Sequence, residues 1–227
     1  VLEAREYTDS IGVSMLSYSY ETAYIRKAAH SFGWDIAPRA VSGGIWKPIY
    51  IVKEHRPKIK ECYLIANNYN SETKVGEAHL RYIIDIGRDR IDEYEIAVDG
   101  VCGDSSFHIV HKPWFVANRV GFEIKDCKRW NVRGRGAANL YNVTVSLIKN
   151  GEVADYKTFR FGHRNVSLLN TETIDENGNG EFRFIINGEP VFIMGTNHVP
   201  ADMFHSNDRN RIKEILDLVV DCGCNAI

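Results

Sequence analysis

The chain has 227 residues, 44% hydrophobic and 26% charged, with a net charge of -2 from 28 Lys and Arg against 30 Asp and Glu. That length allows one large domain or two small ones, and the composition is that of an ordinary globular protein. Basic and acidic residues are interspersed, which excludes a strong pull toward nucleic acid or a membrane surface, and no apolar run approaches the ~18 residues of a membrane-spanning helix.

A start at Val1 without a basic-then-apolar signal pattern, and an end at Cys224-Asn225-Ala226-Ile227, read as an internal piece of a longer gene product. Residues 1–52 hold several strand-like pieces, too few for a closed sandwich of their own. The charged run Lys53-Glu54-His55-Arg56, followed by Pro57, reads as a linker.

Beyond the linker the hydrophobic period is two. Leu80, Tyr82, Ile84 and Ile86 alternate with polar or smaller residues, as do Tyr94, Ile96 and Val98, and then Tyr141, Val143, Val145 and Leu147. Such alternation puts one face of a strand in a core and the other in water. Asn150-Gly151 falls between two such runs, and both residues tolerate the positive φ of a tight hairpin. Strands recurring about every dozen residues over roughly 57–169 predict a β-sandwich. Trp114 and Trp130 are expected in its core or at its edge, and Arg133-Gly134-Arg135-Gly136 is expected to be a loop, since no helix follows it to make a phosphate site.

A polar loop, Asp175–Gly180, leads to a second hairpin: Phe182, Phe184 and Ile186 alternate, Asn187-Gly188 turns, and Pro190–Met194 follows. Val191-Phe192-Ile193-Met194 is continuously apolar and reads as a strand buried on both faces. The period then changes. Ile212, Ile215, Leu216 and Val219 fall on one helical face, with Ser206 or Asn207 as the N-cap, Asp208 in the first turn and Gly223 at the C-terminal left-handed position. With Cys224–Ile227 as the start of another strand, this is one βα unit of a parallel fold.

Five cysteines, at positions 62, 102, 127, 222 and 224, lack the spacing of a disulfide framework or a zinc site and are expected to be buried free thiols. The eight histidines include no helical H-x-x-x-H pair, so no metal and no cofactor are expected. Asn142-Val143-Thr144 and Asn165-Val166-Ser167 fit the glycosylation sequon.

Three stretches together resemble one family: Tyr24–Lys27 with Phe32-Gly33-Trp34-Asp35-Ile36-Ala37-Pro38 and Gly44–Pro48; Leu140–Val145 with Phe161-Gly162-His163-Arg164; and Phe184–Phe192 with Gly195-Thr196-Asn197-His198-Val199-Pro200-Ala201-Asp202. The chain resembles glycoside hydrolase family 2 in its β-mannosidase-like branch. The resemblance implies a mainly β chain in which 1–52 is the end of a jelly-roll sugar-binding domain. On the same resemblance 53–169 is an immunoglobulin-like β-sandwich, and 170–227 is the opening hairpin and first βα unit of a truncated TIM barrel. It implies a retaining exo-β-glycosidase parent acting on terminal β-linked sugars, most directly β-mannosides, with two catalytic glutamates that this chain does not contain. The parent would be periplasmic, secreted or lysosomal.

Trp34 and Asp35 are the first site candidates. An indole stacks on the CH face of a sugar, and a neighbouring carboxylate accepts hydrogen bonds from its hydroxyls. Against that stands a loop-anchoring tryptophan with a turn aspartate. Ile36 stands where the family often has a second aromatic, and His198 where this branch commonly has tryptophan. Asn197 follows the first barrel-like strand, where side chains face the active-site end of a barrel and an amide suits a hydroxyl. Asp202 reads equally well as a helix-approach residue. Gly162 and Arg164 are expected to organise the junction beyond the sandwich. Two other readings stay open: a non-catalytic carbohydrate-binding or adhesion sandwich, and a β-galactosidase, β-glucuronidase or exo-β-glucosaminidase of the same family.

Overall fold

The computed structural model describes residues 26–33, 38–45, 47–170, 176–199, 201–202, 204 and 206–227. It divides into two compact units, Lys53–Ile193 and a second made of Val1–Val52 with Met194–Ile227. The chain is mainly β with antiparallel sheets, and its larger unit is a β-sandwich.

Seven strands make the sandwich: β1 (Lys58–Asn70), β2 (Val75–Asp85), β3 (Tyr94–Cys102), β4 (Ser105–His111), β5 (Ala117–Ile124), β6 (Tyr141–Lys149) and β7 (Glu152–Phe161). They form a three-stranded sheet in the order β1-β2-β5 and a four-stranded sheet in the order β4-β3-β6-β7. The alternating residues of the sequence supply the core between them. Leu80, Tyr82 and Ile84 of the first sheet, Ile86 just past β2, and Tyr94, Ile96, Val98, Tyr141, Val143, Val145 and Leu147 of the second are all buried in one cluster. Burying each such side chain contributes roughly 1.5–3 kcal/mol, and period two puts all of them on the same side.

Local chemistry closes the strands. Asn150 and Gly151 take φ of 50° and 87° between β6 and β7, so both lie in the left-handed region that a two-residue hairpin of matching twist requires. Gly100 is needed for another reason. It pairs across β3 and β4 with Phe107, and a Cβ there would stand 2.1 Å from the ring. Where β1 bulges between Ile59 and Glu61, the Ile59 N–H donates to Asp155 of β7 at 2.7 Å.

One relay of hydrogen bonds ties the end of the sandwich. Lys128 donates its backbone N–H to the Tyr141 hydroxyl at 2.8 Å; that hydroxyl lies 2.7 Å from Ser105 Oγ, which donates to the Lys125 carbonyl at 3.3 Å. Tyr141 and Ser105 are buried, so the relay satisfies polar groups that water does not reach. Burial, set against these hydrogen bonds, pushes the Tyr141 phenol up to about 12. Like the tyrosine corner of immunoglobulin-type sandwiches it uses a tyrosine hydroxyl at the start of the sixth strand, but it reaches back 13 residues, to Lys128.

A small third sheet follows, in the order β10-β9-β8, from β8 (Val166–Asn170), β9 (Phe182–Ile186) and β10 (Glu189–Val191). Its hairpin turn, Asn187-Gly188, repeats the conformation of Asn150-Gly151 with φ of 56° and 85°. Asn187 also grips the sandwich. Its Nδ2 donates to the Trp130 carbonyl at 2.8 Å and to Asn131 Oδ1 at 3.1 Å, and its Oδ1 accepts the Asn165 N–H at 3.1 Å.

The structure corrects four expectations. Trp114 is 78% exposed in the loop between β4 and β5, so it is not a core residue; Trp130 is partly buried under the Arg164 guanidinium. All five cysteines are free, but only Cys127 is buried and Cys222 is exposed. The run 191–194 is not a strand buried on both faces, because Phe192 is 80% exposed and β10 ends at Val191. An apolar run states a demand for cover; it does not supply the cover. Arg164, expected to act through its fork of donors, instead lays its face on the Trp130 ring at 4.6 Å, and Gly162 lets the two approach, since a Cβ there would stand 3.0 Å from Trp130 Cβ.

Two stability measurements check this account. Tyr141→Phe strands the Lys128 N–H and removes the phenol partner of Ser105 Oγ, which keeps its bond to the Lys125 carbonyl, and denaturant titration should show a loss of about 1–3 kcal/mol. The second concerns His163, which is fully buried with its Nε2–H donated to the Glu77 carbonyl at 3.0 Å. Burial pushes its pKa below the usual 6.5, with the Arg129 charge adding to it and the Glu77 hydrogen bond opposing. Below pH 6.5 the unfolded chain therefore binds a proton that the folded chain refuses. The contribution is full above 6.5, and the thermal midpoint should fall as pH drops below it. His163→Gln, which keeps the donor, should flatten that slope.

Candidate functional site

In the second unit the described residues 26–33 and 38–45 flank one sequence-predicted site segment, and residues 194–199 hold the other. Ala29–Phe32 forms one 3-10 turn, with Ser31 and Phe32 buried. The Ala40 N–H returns to the Ser31 carbonyl at 3.0 Å. Arg39 donates to the Phe32 carbonyl at 3.3 Å, while its guanidinium lies 5.4 Å from the Phe32 ring centre. Gly33, at φ 108°, makes the sharp exit that a residue with a Cβ resists. Two backbone positions nine residues apart in sequence, 31 and 40, are thereby pinned together. Trp34 and Asp35 fall between them in sequence and lie outside the described residues, as does Ile36.

Asn197 is described. Gly195 bridges Ala226 in parallel, the Asn225 N–H donates to the Met194 carbonyl at 2.7 Å, and the Met194 N–H donates to Asn225 Oδ1 at 2.9 Å. The helix α1 (Asp208–Asp221) connects the two paired segments, so strand, helix and parallel strand follow in order. Asn197 lies two residues past the bridge, beyond the C-terminal side of the pairing, and its side chain is exposed, as is that of His198.

Asp202 is committed to the helix approach. One carboxylate oxygen accepts the Phe204 N–H at 2.9 Å and the other accepts Asn207 Nδ2 at 3.1 Å, while the Asp202 N–H donates to Asp208 Oδ1 at 3.0 Å. The expected side-chain cap is absent: Asn207 is the N-cap position, but its amide bonds Asp202 rather than the helix N–H groups. The other end follows expectation. Gly223 has φ 77°, its N–H reaches the Val220 carbonyl, and the Cys224 N–H reaches the Val219 carbonyl, a Schellman closure. Among the described residues no cluster of His, Cys, Asp and Glu could hold a metal ion.

The residues that hold the sandwich end together carry little signal in the sequence. Asn187 was legible only as a turn, and His163 only as a member of the stretch Phe161-Gly162-His163-Arg164. A Cβ on Gly76 would stand 2.5 Å from Cys127 Sγ and 2.9 Å from His163 Nε2, so the glycine is the signal that something approaches closely there.

Comparison with known proteins gives one family. Residues 56–164 match Glycosyl hydrolases family 2. The chain is 30% identical over 229 residues to a probable β-mannosidase of Caenorhabditis elegans, covering 90% of this chain and 23% of that protein. It is 26% identical over 218 residues to the β-mannosidase of Mus musculus, covering 90% and 24%. It thus spans about a quarter of the length of the curated relatives it matches. Among solved structures, a β-D-mannosidase from Dictyoglomus thermophilum superposes with a TM-score of 0.81 at 24% identity, covering 99% of this chain and 28% of that one. An exo-chitosanase from Amycolatopsis orientalis gives 0.50 at 18% identity, covering 74% and 19%. Those two likenesses establish the fold. Residues 56–164 of this chain thus match the glycosyl hydrolases family 2 model, and the curated relatives the chain resembles are β-mannosidases.

Proposed function

We propose that this chain is a segment of a retaining exo-β-mannosidase, and that Trp34, Asp35 and Asn197 are its contacts to the terminal sugar. The observation that carries the reading is similarity to β-mannosidases over nine-tenths of the chain, including the stretches that hold all three residues. The local geometry supports it. The described residues on either side of Trp34 and Asp35, 26–33 and 38–45, fall in the same compact unit as Asn197. Asn197 lies past the C-terminal side of a parallel pairing, which is the end where barrel enzymes place substrate.

In this reading the chain binds and orients; it does not cleave. The indole of Trp34 covers the apolar face of the sugar, and Asp35 and Asn197 accept and donate hydrogen bonds at its hydroxyls. A retaining mechanism needs two carboxylic groups about 5–5.5 Å apart across the scissile bond. On the family resemblance, both come from strands beyond the βα unit described above.

Two experiments test the proposal. The purified 227-residue chain should release no nitrophenol from an aryl β-mannoside; turnover in a preparation free of host glycosidase would mean that the chemistry resides in this chain. In the complete enzyme, Asp35→Ala should lower kcat/KM at least about tenfold, the loss expected for a hydrogen bond from a charged group, with little change in thermal midpoint. Unchanged kinetics would make Asp35 a turn residue.

A further inference from the structure

The three-stranded sheet of the sandwich has an outer face, and its cross-strand rows run as follows. Glu61 lies opposite Ile83, and Ile83 opposite Ala117. Tyr63 lies opposite Arg81, and Arg81 opposite Arg119. Ile65 lies opposite His79, and His79 opposite Gly121. Ala117 and Gly121 leave β5 low on both sides of Arg119, while Tyr63, Arg81 and Arg119 stand up from the sheet. The result is a hollow of about 740 Å³ lined by Tyr63, Ile65, His79, Arg81, Asn118 and Arg119, with Glu61 at one end.

Arg81 and Arg119 occupy directly opposed positions on neighbouring strands. Like charges so placed destabilise a sheet. Their contacts among the described residues are to uncharged groups: the Arg81 guanidinium lies 5.9 Å from the centre of the Tyr63 ring, and Arg119 Nη2 lies 3.1 Å from His79 Nδ1. His79 is 5% exposed, and burial, followed by the charges of Arg119 and Arg81, holds its pKa down, so the ring is neutral. In the tautomer that donates Nδ1–H to Asn67 Oδ1 at 3.0 Å, that nitrogen offers Arg119 no lone pair. Glu61 stands one row away from the arginines, and the opposed pair Glu77 and Glu123 two rows away on the other side, roughly 13 Å along the strands. The positive potential is thus confined to a single row over a low floor.

We propose that this hollow binds an oxoanion, a carboxylate or a phosphate group, held between Arg81 and Arg119 on a ligand whose ring or apolar face lies against Tyr63. A guanidinium presents a planar fork of donors that matches such oxygens, and two forks side by side complement a group with two or three of them. The bound anion also relieves the repulsion that the empty sheet carries. The site belongs to Lys53–Ile193 and does not rest on the sugar contacts proposed above.

The test uses the 227-residue chain and three probes: inorganic phosphate, glucuronate, and mannose as the neutral control. Nuclear magnetic resonance should show saturable shifts of the Gly121 amide and of the Arg81 and Arg119 side chains with phosphate, glucuronate or both, and none with mannose. A response to phosphate alone assigns a phosphoryl ligand; a response to glucuronate alone assigns a carboxylate. Arg119→Gln should weaken that binding at least about tenfold. In anion-free buffer the same variant should melt at or above the wild-type midpoint, because one of two opposed like charges is gone. The proposal is overturned by no saturable shift with either anion, by an equal response to mannose, by binding that survives Arg119→Gln, or by a variant that melts lower without anion.

Discussion

The hydrogen-bond relay from the Lys128 N–H through Tyr141 and Ser105 to the Lys125 carbonyl is the tie on which the rest of the larger unit hangs. Two stacked sheets gain from apolar burial wherever they touch, and that force does not fix where one ends against the other. Hydrogen bonds do, because a buried donor without a partner costs about 1–3 kcal/mol. Here the donors and acceptors come from β4, from the chain just after β5 and from β6, so both sheets are held at one register. The backbone leaving that tie at Cys127 then has a set path.

That path decides how the third sheet is placed on the sandwich. Residues 129–131 bridge His163 and supply the carbonyl and amide groups that Asn187 takes up. Arg129 adds a hydrogen bond to the Asn187 carbonyl at 3.2 Å and lies over the Tyr69 ring at 4.4 Å. One turn asparagine therefore serves two purposes: its backbone makes a left-handed hairpin, and its side chain fastens the hairpin to the sandwich. The buried, neutral His163 beneath makes the same junction sensitive to acid. The inner face of the sandwich forms the buried core, while the outer face of the three-stranded sheet carries an opposed arginine pair.

Much of the fold was legible in the sequence because it follows from neighbours along the chain. Alternation at Leu80–Ile86, Tyr94–Val98 and Tyr141–Leu147 fixed which residues face the core, since a strand turns its side chains over at every step. Asn150-Gly151, Asn187-Gly188 and Gly223 announced five left-handed backbone positions, since few residue types tolerate them. The candidate sugar contacts were legible differently: Trp34, Asp35 and Asn197 were singled out by the motifs around them, because a tryptophan, an aspartate and an asparagine in a β-rich chain have commoner structural uses.

What the tertiary structure alone decided is which residues meet across strands. Nothing in the order of residues says that Arg81 stands opposite Arg119, 38 positions away, because register depends on how β2 and β5 slide against one another. The same holds for the burial of Ser105 and His163, polar residues that can go inside only once distant backbone groups are in place to bond them. It holds as well for the exposure of Trp114 and Phe192, whose apolar character asks for cover that only packing can give or withhold. The sequence by itself set the local conformation and the inward face of each strand, because those depend on side-chain size and period. The pairing of charges, the fate of buried polar groups and the shape of the outer hollow came from long-range contacts.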